Sequence, residues 1–415
     1  MAEQETRLRE ALEVLLRFGT MMLRAGDTAF RVRESMNMLA TSMGIETLSL
    51  HITVNGMTAT VRQGGEHVTL ASEVAPLGIN AWRISALERL ARSNWPGLEP
   101  QALSLRLDEI EAAPALHSIL TVATAIGLAS GAFAYLNGGD LVGTAAAVAA
   151  GGFGQTARML MFRRGLNQYA VTTLCAILAT GFYCLVVGSI AGRAFEPAHA
   201  AGFISCVLFL VPGFPLVASL LDLLQHQTVA GIVRLTYGTL ILLAAAFGLS
   251  IVVAVAGLTA GAAATAPHGI EFAALLWRAV ASFIGGCGFA VLYNSPARTV
   301  FAVGILSLLG NELRLALHDL GMALPPATFL GALAVGLLAS LARAILREPR
   351  IVLTVPGIII MTPGIYAFQT IVMLNQGDIF SAIQAGTVCG FIVGAMAMGL
   401  VAARFISERR WIDER

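Results

Sequence analysis

Pro-Gly pairs inside two otherwise apolar runs are where this sequence offers backbone groups for chemistry. Val211-Pro212-Gly213-Phe214-Pro215 interrupts one run. Val355-Pro356-Gly357 and then Thr362-Pro363-Gly364 interrupt another. Proline lacks a backbone donor and clashes with the preceding turn, so each position predicts local unwinding. Pro215 suits the first turn of a new half-helix. The free N–H groups of such a turn carry about half a positive charge and attract a carboxylate. A plain proline kink that only shapes packing is the alternative. Two polar motifs accompany the breaks: Gly154-Gln155-Thr156-Ala157-Arg158 and Gly310-Asn311-Glu312-Leu313-Arg314. Arg158 and Arg314 can hold an anion beside the Gln155 and Asn311 amides, or snorkel to the membrane surface. Glu312 has no long stem and Asp222 follows the first break, so these two are the candidate proton carriers; burial disfavours the charged form of a carboxylic acid. The expected binding set is therefore Pro212, Gly213, Phe214, Pro215, Thr362, Pro363, Gly364, Gln155, Arg158, Asn311 and Arg314.

Composition says what must position these residues. Of 415 residues 57% are hydrophobic and 12% charged, with 43 Gly in addition. Soluble domains carry about 25% charged residues, so a soluble globular chain is excluded. A disordered chain is excluded too, because it needs low hydrophobicity and high net charge. The net charge of +1 hides a split: residues 1–114 hold 11 Arg against 14 acids, and 115–415 hold 15 Arg against 11. Lysine is absent. With no dominant basic face, nucleic acid is not an expected partner. This composition predicts a polytopic membrane protein with a soluble N-terminal piece.

Ten runs are long enough to span a bilayer, which takes about 20 apolar residues: 115–136, 140–161, 168–191, 199–223, 229–257, 271–292, 298–317, 326–346, 351–374 and 379–403. With the N-terminus inside, twelve arginines (Arg158, Arg163, Arg164, Arg234, Arg298, Arg343, Arg347, Arg350, Arg404, Arg409, Arg410, Arg415) fall at inner ends. Three (Arg193, Arg278, Arg314) fall towards the outside. That bias obeys the positive-inside rule and predicts that both termini are cytoplasmic. Charges at Arg7, Arg9, Glu10, Glu13 and Arg17 interrupt any signal-peptide core. The two polar motifs are 156 residues apart and the two Pro-Gly breaks 151, which predicts a duplication. Five spans per copy is an odd number, so the copies must be inverted, a pattern that points to secondary transporters. The expected division is 1–114, a cytoplasmic α+β domain; 115–260 and 261–405, two five-helix repeats; and 406–415, a tail.

The N-terminal piece reads as two amphipathic helices, 5–25 and 28–43, parted at Gly26-Asp27-Thr28, with Asp27 or Thr28 capping the second. Strand-like runs at 47–54, 57–63 and 66–71 follow, punctuated by Asn55-Gly56 and Gly64-Gly65. Helical patterns return at 78–93 and 100–112, with Pro96 and Pro100 between them. Arg31, Arg33, Glu34, Glu88, Arg89 and Arg92 have the spacing of a solvated helix face. His51 and His67 are isolated. A hydrolase built from Ser42, His51 and Asp27 has no support in spacing. Cys175, Cys184, Cys206, Cys287 and Cys389 lie in apolar runs without ligand spacing, so neither metal nor cofactor is expected. Gly152 to Ala157 fits a dinucleotide pattern but lacks the preceding strand. Gly127/Gly131 and Gly386/Gly390/Gly394 read as small-residue faces for close helix packing.

Phe18-Gly19, Gly26-Asp27-Thr28, Arg31-Val32, Val54-Asn55-Gly56-Met57, Gly78-Ile79-Asn80 with Leu87 to Arg92, and Pro212-Gly213-Phe214-Pro215 together resemble the threonine/serine exporter (ThrE-like) family over nearly the whole chain. The head plus five spans resembles its YjjP-type part and the last five its YjjB-type part, fused in one polypeptide. The resemblance implies ion-motive-force-driven export of small polar metabolites through the bacterial inner membrane. Threonine and serine are the cargo of one branch, and dicarboxylates such as succinate of the other. The implied partners are the substrate, protons and the lipid bilayer, with homo-oligomerisation left open.

Overall fold

The computed structural model describes residues 2–53, 55–74, 78–93, 95, 97–190, 199–257 and 272–408. Val54, Pro96, Arg193, Arg409, Arg410 and Arg415, used in the expectations above, lie outside these residues. The chain is mostly helical, with one small sheet near the N-terminus. It divides into two compact units: Met1–Leu116 with Phe214–Tyr237, and His117–Gly213 with Gly238–Arg415.

In the first unit, helix α1 (Ala2–Arg24) buries Leu8, Leu12, Leu15, Phe18 and Met22, a stripe at helical spacing. It packs on an antiparallel sheet of β1 (Thr47–Ile52), β2 (Gly56–Gln63) and β3 (Glu66–Glu73) in that order. Met57, Ala59 and Val61 alternate inward along β2, the period of a half-buried strand. Gln63 pairs with Glu66 across Gly64 (φ 59°) and Gly65 (φ 86°), a two-residue turn needing positive φ twice. Helices α2 (Ala29–Ser42), α3 (Ala81–Arg92) and α4 (Pro100–Ala112) complete the head. Asn80 caps α3 through Arg83 N, 3.0 Å away. His51 and His67 are both exposed.

The charges assigned above to a solvated face need correction. Arg31 and Glu88 are 8% and 6% exposed and Asp27 is enclosed. Arg31 donates to Asp27 Oδ1 at 2.8 Å and to Glu88 Oε2 at 2.6 Å, and Arg92 donates to Glu88 Oε1 at 2.7 Å. Charges from α2 and α3 can enter the interior because they satisfy one another there. Burial alone would raise the Glu88 carboxyl, but Arg31, with Arg92, overrides it and brings it down to about 2.

The second unit is a helical bundle: α5 (Ile119–Leu136), α6 (Leu141–Arg163), α7 (Gln168–Ile190), α8 (Ala200–Ser205) with a 3-10 turn at Leu208–Leu210, α11 (Phe272–Leu292), α12 (Ala297–Asp319), α13 (Leu324–Leu346), α14 (Arg350–Ile359), α15 (Gly364–Asn375) and α16 (Ile379–Ser407). Helices α9 (Gly213–Leu224) and α10 (Thr228–Ala256) belong partly to each unit. Among the described residues seven helices are long and apolar enough to cross a membrane, or nine if each of two bent helix pairs is one span. Helix α6 covers the second expected span without being among them. Its Gly, Ala and Thr residues, with Gln155 and Arg158, dilute its hydropathy.

Helix lengths recur along the chain. Helices α6 and α12 both have 23 residues, from Leu141 and Ala297, and α7 and α13 also have 23, from Gln168 and Leu324. Helices α9 and α15 both have 12, from Gly213 and Gly364, and α10 and α16 both have 29, from Thr228 and Ile379. Helix α5 packs on α6 and on α11. Gly127 sits against Val148 O, where an added Cβ would lie at 2.6 Å, as a packing face requires; Gly390 and Gly394 meet nothing within 4 Å. They open instead into an apolar groove with Pro325, Pro326, Phe391 and Met398.

Two substitutions test this packing. In Gly288→Ala the new Cβ would lie 2.6 Å from Ala129 Cβ and 2.7 Å from Ala125 O. Overpacking of this kind costs about 1–3 kcal/mol, so thermal unfolding in detergent should shift downward; an unchanged midpoint contradicts the α5–α11 approach. Glu88→Gln should cost about 3 kcal/mol, the low end for breaking a buried pair, because Asp27 still faces Arg31. Glu88 is depressed below its ordinary 4.5. Its contribution is therefore present above that value and lost as pH falls through about 2, and denaturation curves across acid pH should show the wild type losing its advantage there.

Candidate binding site at two broken helices

Two of the three Pro-Gly positions, Pro212-Gly213 and Pro363-Gly364, interrupt their helices, and with the same hydrogen bonds; the unwinding expected at Pro356-Gly357 does not occur, and Pro356 lies inside α14. Before the second break, Met361 N donates to Ile358 O and Thr362 N to Ile359 O, both at 2.9 Å. The helix thus tightens to 3-10 form. Gly364 N then donates to Thr362 O at 2.9 Å, closing an inverse γ-turn on Pro363 (φ −80°, ψ 56°). Helices α14 and α15 diverge there by 62°. At the first break, Leu210 N bonds Val207 O (2.9 Å), Val211 N bonds Leu208 O (3.1 Å) and Gly213 N bonds Val211 O (2.8 Å). Proline makes the γ-turn cheap, because it has no N–H to leave unpaired. The αL residues that end the two following helices, His226 (φ 56°) and Gly377 (φ 79°), also correspond.

The breaks meet. A Cβ on Gly213 would lie 3.2 Å from Ile359 Cγ1, at the end of α14. A Cβ on Gly364 would lie 3.0 Å from Phe133 Cε1 and 3.6 Å from Ile204 Cγ2, in α8. Each post-break glycine therefore neighbours the pre-break helix of the other pair, Gly213 tightly on Ile359 and Gly364 at ordinary contact distance from Ile204. Pro212 and Thr362 are buried, and Thr362 Oγ1 donates back to Ile359 O at 2.7 Å. Phe214, 1% exposed, and Pro215, in the first turn of α9, fall in the unit of the head.

Each polar motif lies against its own break. In α6 an added Cβ on Gly154 would lie 2.8 Å from Phe209 Cζ. Arg158 Nη1 donates to Phe209 O at 3.0 Å, and its guanidinium lies 5.4 Å from the Phe162 ring centroid. Gln155 is 3% exposed, and its Oε1 has no hydrogen-bond partner among the described residues. In α12 Gly310 similarly leaves room for the Met361 methyl, 2.8 Å from where a Cβ would stand. Asn311, 1% exposed, donates to Ser282 Oγ at 2.9 Å and accepts from Arg314 Nη1 at 3.2 Å. Arg314 Nε finds no partner among the described residues. Ser307 Oγ donates to Gly357 O at 3.0 Å, tying α12 to α14. Arg158 thus reaches the carbonyl just before the first break, while Asn311 and Arg314 bond each other on α12.

The two carboxylate candidates fall in different places. Glu312 accepts from Arg278 Nη2 at 3.1 Å and faces Ser282 Oγ at 3.4 Å, while Arg278, 1% exposed, also donates to Asp319 at 2.7 Å. Asp222 is not with it. It lies in the unit of the head, where its Oδ1 accepts from Ala29 N at 2.8 Å. Asp222 thus caps α2, while Thr28 makes no side-chain cap. Arg278, Ser282 and Asp319 were not singled out as site residues from sequence. They lie at least 30 positions from Glu312 or within an ordinary helix end, and no local pattern joins them. Among the described residues no group of three or more His, Cys, Asp or Glu side chains could hold a metal. The false dinucleotide match is an uninterrupted stretch of α6.

Comparison with known proteins identifies the family. Residues 13–256 match the ThrE family model, described as "Putative threonine/serine exporter", and residues 278–406 match a second model, "Threonine/Serine exporter, ThrE". The "Probable succinate transporter subunit YjjP" of Escherichia coli strain K12 is 23% identical over 256 residues, 61% of this chain and 98% of that protein. The protein of the same description from Klebsiella aerogenes is 22% identical over 259 residues, 62% of this chain and 98% of its own length. No solved structure matches. These relatives are transporters and not enzymes. With both family models matched in succession and membrane-length helices across both matched stretches, the chain belongs to the ThrE family of threonine/serine exporters and is a multi-pass membrane protein of that class.

Proposed function

We propose that the protein is a secondary active exporter of small carboxylate-bearing metabolites, working by alternating access around the two breaks and driven by protons. The observation that carries this reading is the reciprocal approach of Gly213 to Ile359 and of Gly364 to Ile204. Irregular backbone at membrane depth is tolerated only where it is buried in protein or lines a watery cavity. The matched helix lengths support ten spans in two five-helix copies, 115–260 and 261–405, with α6 as the tenth span. An odd number of spans per copy makes the copies inverted, as in other secondary transporters. The arginine bias supports an inner-membrane protein with its head and both termini in the cytoplasm.

In this reading the cargo carboxylate sits at the start of α9 or α15, within reach of Arg314 and Asn311 or of Arg158 and Gln155. Pro212, Gly213 and Thr362 to Gly364 form the cradle. Glu312 carries the coupling proton, with Asp222 the other candidate. Threonine and serine are the cargo that the family's description names. A dicarboxylate, as in the description of the YjjP relatives, is the second reading, and one observation favours it. Arg158 and Arg314 stand at matched positions beside the two breaks, one guanidinium for each carboxylate, whereas an amino acid's ammonium needs an acid. Glu312, the acid of the second motif, is engaged by Arg278.

Counterflow in vesicles reconstituted with the purified protein tests the reading: labelled threonine, serine or succinate should exchange, and exchange of none contradicts it. Arg314→Gln should lower the rate at limiting substrate about 10- to 100-fold, the size of a lost hydrogen bond to a charged group. An unchanged rate removes Arg314 from the site. Glu312→Gln should flatten the pH dependence of exchange, and a profile identical to wild type excludes Glu312 as the proton carrier.

A further inference from the structure

Five ionisable side chains are shut inside the first unit where the Gly26-Asp27-Thr28 turn meets α9 and α10. Asp27 and Asp222 are 0% exposed, Arg234 is 1%, and Glu88 and Arg31 are 6% and 8%. Arg234 does not spend its hydrogen bonds on a carboxylate. Its Nη1 donates to Gly26 O at 3.2 Å and its Nη2 to Asp27 O at 2.7 Å, leaving Nε 3.7 Å from Asp222 Oδ2. Asp222 Oδ1 meanwhile holds Ala29 N, at the start of α2. Thus α9 and α10 grip the turn and the helix start together.

The corresponding residues in α15 and α16, 151 positions on, are Met373 and Ala385. The Asp222–Arg234 pair therefore belongs to holding the head and is no general feature of this helical hairpin.

The cluster is short of one positive charge. Three acids face two arginines, and the rim pair Arg92–Glu34 adds one charge of each sign. Glu88 is bonded on both oxygens. Asp27 Oδ1 accepts from Arg31 Nε and Thr28 N, but Asp27 Oδ2 and Asp222 Oδ2 have no donor among the described residues. Of the other charged or titratable groups on the elements packed here, Arg33 is turned to Leu50 O and Gln227, and His226 is exposed. A buried carboxylate oxygen without a donor is costly, as is a buried net charge. One proton on either aspartate removes the net charge and turns a donorless oxygen into a donor, because a carboxylic acid is neutral and carries an O–H.

We propose that the Asp27–Asp222 pair binds one proton and that this proton is part of the lock holding the head's α2 to α9 and α10. Burial acts on Asp27 in the same direction, raising its carboxyl despite Arg31. The inference concerns how the head is held and stands whatever the cargo. A group raised in the folded state stabilises it at low pH, and that contribution is lost as pH rises through the raised value. Alkalinisation on the side of the head therefore loosens the lock.

Infrared spectroscopy of the full-length protein in lipid nanodiscs tests this. The wild type should show the C=O band of a protonated carboxylic acid at neutral pH, disappearing on alkalinisation as the thermal midpoint falls. Asp27→Asn and Asp222→Asn each remove the surplus charge, so each alone should abolish the band and flatten the midpoint across that pH range. Glu312→Gln, in the second unit, should leave the band in place. Absence of the band in the wild type, or its survival in either aspartate variant, overturns the proposal. The two aspartate variants are independent, so poor folding of one leaves the other decisive.

Discussion

A backbone group left without a partner inside a membrane protein has to be hidden from lipid, and this constraint organises the second unit. At Pro212-Gly213 and Pro363-Gly364 the chain gives up the α-helical ladder, turns through a γ-turn and starts again. Gly213 and Gly364 each lie beside the helix that precedes the other break. Gly213 and Gly364 permit the approach because a side chain at either would press on Ile359 or Phe133. Helices α6 and α12 each place a glycine against a break, Gly154 on Phe209 and Gly310 on Met361, and α6 adds Arg158, which bonds Phe209 O.

The head follows a different rule. It is an ordinary small α+β layer in its core, held by the apolar face of α1 on an inward-alternating sheet. Its N-terminal turn, however, is built around charges. Arg31 bridges Asp27 and Glu88, and Asp222 and Arg234 reach the same turn from α9 and α10. Capping of α2 by a residue some 190 positions away makes that helix start dependent on a distant segment of the chain. The head's compact unit accordingly includes Phe214–Tyr237.

Much of this was legible in the residues. Proline and glycine act through the backbone, so the breaks at Pro212 and Pro363 announce themselves locally. The head's helices and strands follow from hydrophobic period and from Gly64-Gly65. What sequence could not give was partnership between distant charges. Arg31 and Glu88 have surface-like spacing and are buried only because they meet each other. Arg278 reads as one more arginine at a helix end, yet it holds both Glu312 and Asp319. The Gly386/Gly390/Gly394 series has the spacing of a packing face and lies largely open, because spacing does not say whether a partner arrives.

The central claim is that the two breaks together line a cavity that substrate enters. In a variant with its native cysteines replaced, Thr362→Cys can be probed with a membrane-impermeant thiol reagent in reconstituted vesicles, with and without succinate, threonine or serine. The account predicts labelling of the thiol and protection by transported substrate. A thiol that never reacts from either side, or reacts at the same rate whatever substrate is present, would contradict it.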